Sequence, residues 1–328
     1  MSNALLWLIA TLSAVVGTIF SLAITMPFVG ALVRYRATYT PKRLQGLPGD
    51  ESESITSSSS SIGYFGMLKR VYRVEGWTGL YKGIMPSIIT GLIAIVVFSP
   101  VAVFMAVGQG LPDVAAYTPP PNGVVTWTLA FAVSIIPGLL IFPLQIITNR
   151  AITTPHKLAA FAPSAALHVL LSPAERKQPL RLYLTPGVAF AQLLEGLFGP
   201  FVLLIDKFFG TRIFFEHRVL SLTGATLITF LVATGLLTPL KVVSTRLTLQ
   251  RFGETDADTD VNTPPVYEEA VVDFRGAQEV PYTGLFNGGA QIVREEGGAV
   301  LFRAWWITAL VLVLAVLSQA FVPPAPAR

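Results

Sequence analysis

The stretch Gly63–Gly83, GYFGMLKRVYRVEGWTGLYKG, decides the fold of this chain. Its first half has the spacing of an amphipathic helix, with apolar residues on one side and basic residues on the other: Phe65, Leu68, Val71 and Tyr72 against Lys69, Arg70 and Arg73. A glycine turn at Gly76 follows, and a run of uncharged residues begins at Gly83. This order predicts a helix lying on a membrane surface, followed by chain that enters the bilayer.

The same phrase returns near the C-terminus. There Ala290–Ala304 reads AQIVREEGGAVLFRA, in which Glu296-Gly297 precedes Phe302-Arg303-Ala304 at the offset that separates Glu75-Gly76 from Tyr81-Lys82-Gly83. A phrase that recurs at a fixed internal spacing indicates that the chain consists of copies of one unit.

The composition is that of a membrane protein. Of 328 residues, 52% are hydrophobic and 13% charged, and the mean hydropathy is +0.62, too apolar for an ordinary soluble domain. Only Glu195 places a charge within six segments long enough to cross a bilayer: Met1–Val33, Gly83–Pro112, Val114–Asn149, Leu182–Ile205, Val219–Leu240 and Ala304–Ala327. The chain has no cysteine, which excludes disulfides and thiolate chemistry.

Positive charge is concentrated on one predicted side of the membrane. Most Lys and Arg residues fall in the segments after spans one, three and five, so this basic face is expected to contact anionic lipid headgroups, and no nucleic-acid groove is predicted. Two polar stretches on that face, 50–61 and 253–265, have the composition of disordered, dispensable loops. Neither His156 nor His168 has a second ligand at metal spacing, so no metal site or cofactor is predicted.

Spans one, three and five end with the same spacing between a proline and an arginine. Pro27 and Arg34, Pro143 and Arg150, and Pro239 and Arg246 are each seven residues apart. Each pair predicts a kinked helix end with a cation two helical turns later, and three pairs at one offset indicate three copies, bounded at 1–112, 113–210 and 211–328.

The pattern resembles the mitochondrial carrier family. The family signature is proline-x-acidic-x-x-basic-x-basic, then a loop helix, then acidic-glycine-x(4)-aromatic-basic-glycine. Copy one matches best, copy three has Ala304 for the last glycine, and in copy two only Leu182-Tyr183 is similar to the second phrase. The residues that carry the resemblance are Pro27, Arg34, Glu75, Gly76, Tyr81, Lys82, Gly83, Pro143, Arg150, Pro239, Arg246, Glu296, Gly297, Phe302 and Arg303.

The resemblance implies an all-α membrane protein with six transmembrane helices in three pseudo-repeats. These form a barrel around a central cavity, with amphipathic helices on the matrix side and both termini on the other side. It also implies a multi-pass protein of a mitochondrial membrane, the inner one favoured, that moves a small solute by alternating access.

The departures from the family concern its gates. In the family, an acidic residue two positions after each proline and a basic residue five after it form a ring of ion pairs that closes the cavity. The corresponding positions here are Val29 and Leu32, Gln145 and Thr148, and Lys241 and Ser244. No acid–base pair remains, and apolar packing at Val29 and Leu32 offers no polar contacts to exchange with a substrate.

The family's substrate contacts correspond to Thr90 in span two, Gln192 in span four and Val311 in span six, with Glu195 as the embedded charge. No Arg or Lys occupies these contact positions. The sequence therefore predicts that strongly anionic solutes are excluded, while neutral, amphipathic or cationic ones are admitted.

The sequence bears on three functions. A solute carrier is favoured by the repeats. A non-transporting adaptor or membrane-organising protein of the same fold, with protein partners and possibly in the outer membrane, is favoured by the missing gates. An enzyme is disfavoured because the chain has no His-rich metal cluster, no Gly-x-Ser-x-Gly and no phosphate-binding glycine loop.

Overall fold

The computed structural model describes residues 3–42, 62–108, 124–158, 163–198, 218–251, 265–275 and 281–320. Within these ranges the regular structure is helical, apart from one antiparallel bridge between His156 and Val266. The described residues include ten α-helices and two short 3₁₀ helices, Pro179–Leu184 and Gly298–Phe302. The α-helices are α1 Asn3–Ala37, α2 Tyr64–Leu80, α3 Ile84–Gly108, α4 Val124–Thr153, α5 Pro163–Leu170, α6 Pro173–Lys177, α7 Val188–Phe198, α8 Arg218–Leu249, α9 Leu285–Glu295 and α10 Trp305–Ala320.

Two helices of the described chain are long and apolar enough to cross a membrane, Thr11–Ala37 within α1 and Phe230–Leu249 within α8. A third candidate is α2 with the first part of α3, which are bent by 51° at the break between them. The described residues are therefore those of a helical membrane protein. Each of the six predicted spans overlaps one described α-helix, in chain order α1, α3, α4, α7, α8 and α10. That all six cross the membrane is a prediction from the sequence.

The helix ends differ from the predicted span ends for local reasons. Span four was predicted to begin at Leu182, but α7 begins at Val188, because Pro179–Leu184 forms a 3₁₀ helix and Gly187 adopts a φ of +75°. Span one continues to Ala37 and span five to Leu249, past their charged residues. Basic side chains are compatible with a helix C-terminus, where they meet the negative end of the helix dipole.

The amphipathic helix predicted from Gly63–Gly83 is α2, but its faces are assigned differently. Tyr64, Met67 and Val71 are buried, at helical spacing, while Phe65 and Tyr72 are exposed. Arg70 lies on the buried side because it donates to the Glu269 carboxylate and the Ala270 carbonyl of the segment packed over α2. Arg70 therefore lies on the packed face of α2, where the sequence pattern predicted apolar residues.

The turn that joins α2 to α3 depends on Gly83. Its φ is +85°, and a Cβ atom there would lie 2.8 Å from Cγ1 of Ile152 in α4. Only a residue without a side chain fits this conformation and this approach. Gly83 thus brings the start of α3 against the end of α4.

Each of the three proline-bearing helices α1, α4 and α8 contacts both of the others. α3 packs on α1 and α4, and α10 packs on α8. Buried side chains of α4, α7, α8 and α9 form one apolar cluster, and a second cluster joins α1, α2 and residues 271–272. Residues 50–61 and 253–264 of the predicted loops lie outside the described residues. Pro265, the last residue of the second loop, accepts a hydrogen bond from the Lys157 amide.

Candidate functional site: three buried ion pairs and a central cleft

The arginine that follows each proline is buried. Arg34, Arg150 and Arg246 expose 1%, 2% and 5% of their side chains, and each forms an ion pair with a buried glutamate. Simple snorkelling of the arginines to lipid headgroups predicts no such inward contacts. The three arginines therefore bind other residues of the same chain.

The first pair joins α1 to α2. The Arg34 Nη2 donates to Glu75 Oε2 over 2.6 Å and to the Gly79 carbonyl over 3.0 Å. The Lys82 ammonium binds the other carboxylate oxygen of Glu75 at 2.7 Å and also donates to the Thr154 carbonyl beyond α4. One carboxylate thus holds two cations and connects α1, α2 and the end of α4.

The second ion pair joins Arg150 of α4 to Glu175 of α6 through two hydrogen bonds. The Nη1 and Nη2 of Arg150 donate to the two carboxylate oxygens of Glu175 over 2.7 and 3.0 Å, the strong parallel geometry of arginine with carboxylate. Glu175 also closes a capping box with Ser172 at the start of α6, so one side chain starts a helix and neutralises a buried cation.

The third pair repeats the first. The Arg246 guanidinium donates to both carboxylate oxygens of Glu296. Arg303 lies where Lys82 lies in the first copy, with Nη2 at 3.9 Å from Glu296 Oε2. Its other contacts are with the end of α1 and the chain that follows it, including the Tyr35 carbonyl at 3.3 Å and Thr40 Oγ1 at 2.6 Å.

The three pairs are joined in a cycle by backbone carbonyls. Each acceptor lies four residues beyond the arginine of the next proline-bearing helix: Lys82 donates to Thr154, Arg150 to Gln250, and Arg246 to Thr38. Arg150 and Arg246 also donate through Nε to the carbonyls of Thr248 and Arg36. These carbonyls belong to helix ends, which lack partners within the helix. The side chains therefore fasten the ends of α1, α4 and α8 to one another.

The environment of Glu296 favours its charged form. Burial alone would raise the pKa of Glu296, but the hydrogen bonds and charge of Arg246, the Thr40 amide and the charge of Arg303 lower this pKa below its ordinary value of 4.5. Donors that bind only the carboxylate form outweigh the loss of water.

Glu175 was missed by the sequence analysis. The Glu75–Lys82 and Glu296–Arg303 spacings are each seven residues, and Glu175 likewise lies seven residues before Leu182. It escaped notice because Arg176, not glycine, follows it and because Leu182 is not basic. The spacing was the available signal.

The four predicted substrate residues have different surroundings. The Thr90 hydroxyl donates to the Pro86 carbonyl within α3, and Gln192 packs so closely on Gly138 that a Cβ there would lie 2.9 Å from its Nε2. The Glu195 carboxylate instead faces the charges of Lys241 and Arg36, and Val311 lines a cleft with those two cations.

This central cleft lies between α1, α8 and α10. Its walls are Leu32, Arg36, Leu237, Lys241, Ile307, Thr308, Val311 and Leu312. Arg36 donates through Nη2 to the Thr308 hydroxyl over 3.0 Å, while its buried Nε has no hydrogen-bond partner among the described residues. The sequence has no cation at the family's contact positions, yet two cations line the same cleft as Val311.

Lys241 occupies a ring position. It stands two residues after Pro239, where the family has an acid, and it is the only charged residue at the six ring positions. Leu32, another ring position, lies in the wall of the same cleft, and the Thr148 hydroxyl is bonded to the Leu144 carbonyl within α4. A ring of three ion pairs is therefore absent at these positions, while Lys241 is close enough to Glu195 on α7 for their charges to interact.

The helices and the buried ion pairs define a carrier-like membrane protein. Residues 4–102 match the family model described as mitochondrial carrier protein, in agreement with the resemblance drawn from the signature residues. Among curated proteins, no sequence matches the chain.

Proposed function

We propose that the protein is a mitochondrial carrier-like transporter, in which three repeats (1–112, 113–210 and 211–328) form six transmembrane helices around a central cavity. A small solute crosses by alternating access. The match of residues 4–102 to the mitochondrial carrier family carries this proposal. It also implies transport and not enzymatic catalysis.

The cycle of ion pairs supports the repeats. Three arginines with one spacing to proline, three glutamates and acceptor carbonyls at one offset are hard to reconcile with unrelated segments. The pairwise contacts of α1, α4 and α8 agree with a central bundle of equivalent helices. On this proposal the ion pairs form the fixed framework, and motion occurs in the parts of the bundle that surround the central cleft.

A second candidate is an adaptor with the carrier fold and no transport activity, which acts through protein partners. The uncharged ring positions favour it, because Val29, Leu32, Gln145, Thr148 and Ser244 cannot exchange ion pairs with a substrate. For either function we propose a mitochondrial membrane, with the inner membrane favoured for a transporter and the outer one open to an adaptor. Anionic lipids contact the basic face.

The test is solute uptake by the purified protein in liposomes, screened against a broad metabolite panel. Since the chain has no cysteine, Val311→Cys introduces a single labelling site in the cleft wall, and Phe286→Cys introduces a matched one on the exposed face of α9. Saturable uptake that a bulky thiol reagent blocks at position 311 but not at 286 would support transport through the cleft. Folded protein that takes up none of the panel would overturn transport and favour the adaptor.

A further inference from the structure

The central cleft carries an excess of positive charge. Arg36 and Lys241 line it, and Glu195 is the one acidic side chain that acts on both of them among the described residues. When all three groups are charged, one carboxylate balances one cation and a single positive charge is left over. A surplus charge away from water is costly unless a partner or bound ion compensates it.

The cleft also offers free hydrogen-bonding capacity. The Nε–H of Arg36 is buried without an acceptor in the described chain, although Nη2 of the same guanidinium is fixed by the Thr308 hydroxyl. Arg36 as a residue is only 6% exposed, so bulk water does not readily satisfy this donor. A carboxylate, which accepts hydrogen bonds and carries one negative charge, fits both the charge and the donor.

The remaining walls are apolar. Beside Thr308, the lining consists of Leu32, Leu237, Ile307, Val311 and Leu312. A small polar dianion would leave these side chains without a partner and would overcompensate the charge. An amphipathic monoanion places its charge at Arg36 and Lys241 and its apolar part against the leucines and valine.

We propose that the central cleft binds a monocarboxylate with an apolar tail, held by Arg36 and Lys241, with Glu195 limiting the site to one negative charge. The inference rests on the proposed carrier function, since it names the substrate class of the same cleft. It differs from the expectation drawn from the sequence, in which anions found no counter-charge.

The test compares three ligands of equal chain length, octanoate, octanol and octyltrimethylammonium, by thermal shift on protein in nanodiscs of zwitterionic phosphatidylcholine. Octanoate alone should stabilise the protein saturably. Lys241→Gln and Arg36→Gln should each weaken its binding at least about tenfold, the effect of losing a bond to a charged group, while Lys177→Gln, at an exposed site on α6, leaves it unchanged.

Two further variants keep the test decisive if Arg36→Gln does not fold. Glu195→Gln should tighten octanoate binding, because it removes the competing negative charge. Val311→Phe should block binding by filling the cleft. Equal shifts from all three ligands, or octanoate binding that neither Lys241→Gln nor Val311→Phe alters, would overturn the proposal.

A lipid headgroup is distinguished by a second nanodisc composition. A shift produced by anionic phosphatidylglycerol but not by octanoate, and lost in Lys241→Gln, would overturn the free carboxylate and assign the cleft to a lipid. The outcomes also separate the inference from the proposed function. Octanoate that binds without being taken up by liposomes contradicts transport alone, and uptake of another solute with no octanoate binding contradicts the inference alone.

Discussion

At the scale of single residues, each buried glutamate compensates the charge of a buried arginine. Substituting Glu175 by Gln keeps the capping box, which a glutamine also forms, but removes the charge that faces Arg150. A buried cation without its partner costs about 3–5 kcal/mol, and the low end is expected here because Arg150 keeps its backbone acceptors. Thermal unfolding of purified Glu175→Gln measures the loss.

The matched control is Glu269→Gln. Glu269 also pairs with an arginine, Arg70, but its side chain is 58% exposed. An ion pair open to solvent contributes at most about 1 kcal/mol. Equal losses in the two variants would contradict the assignment of Glu175 to a buried framework.

Ala304 offers a stabilising substitution. It is the one non-glycine residue of the described chain with a positive φ, +56°, and it stands where the first copy has Gly83. The left-handed conformation costs an L-residue about 1–2 kcal/mol, part of which glycine loses again through its greater freedom in the unfolded chain. Ala304→Gly should therefore raise the unfolding free energy by about 0.5–1 kcal/mol, seen as a higher melting temperature.

The reverse change tests the same argument at the first copy. Gly83→Ala should lower the melting temperature, because the added methyl group meets Ile152 and the φ is positive. If both substitutions shifted stability in the same direction, backbone conformation would not be the deciding factor.

Glu296 makes stability depend on pH. Its pKa is lower in the folded protein than its ordinary value of 4.5, so the stability that it contributes is complete above about pH 4.5 and is lost as pH falls through the lowered value. The melting temperatures of the unmodified protein and of Glu296→Gln should converge on acidification. A difference that stays constant down to about pH 3 would show that Glu296 does not change protonation on unfolding.

At the scale of helices, the sequence predicted those elements whose signals are local. The prolines, the uncharged runs and the glycines at Gly76 and Gly83 are visible in the chain and led to α1, α2, α3 and α8. The start of α7 was wrong by six residues, because hydropathy does not distinguish a 3₁₀ turn from a helix. The buried side of α2 was partly misassigned, since the burial of Arg70 depends on the distant Glu269.

The candidate site was predictable only where its residues carry a repeat. The three arginines and two of the glutamates were singled out, but their mutual contacts span up to 210 residues and follow from no local pattern. The cleft was missed for the same reason. In the sequence, Arg36 is one of two arginines after span one and Lys241 stands at a ring position, and only the packing of α1, α8 and α10 brings them together.

At the scale of the whole molecule, the cycle of contacts predicts coupling between distant ion pairs. Breaking one ion pair loosens the helix ends that the other two pairs hold. Breaking a second pair should therefore lower the free energy of unfolding by less than it does in the otherwise unmodified protein. The combination of Glu75→Gln with Glu175→Gln should destabilise by less than the sum of the single losses. A deviation of more than about 0.5 kcal/mol exceeds what independent sites show, and strict additivity in thermal unfolding would contradict a closed cycle.

The cycle also has a consequence for how the chain is made. The carbonyl of Thr38 emerges from the ribosome early, but Arg246, which binds it, follows 208 residues later, and Arg303 later still. During synthesis the earliest helix therefore waits for the last part of the chain before its end is fastened, although N-terminal units commonly fold first. A nascent chain released before Arg246 keeps this end open to proteases. Cleavage near residues 36–42 in such truncated chains, and protection in the full-length protein, would make the final segment the step that completes maturation.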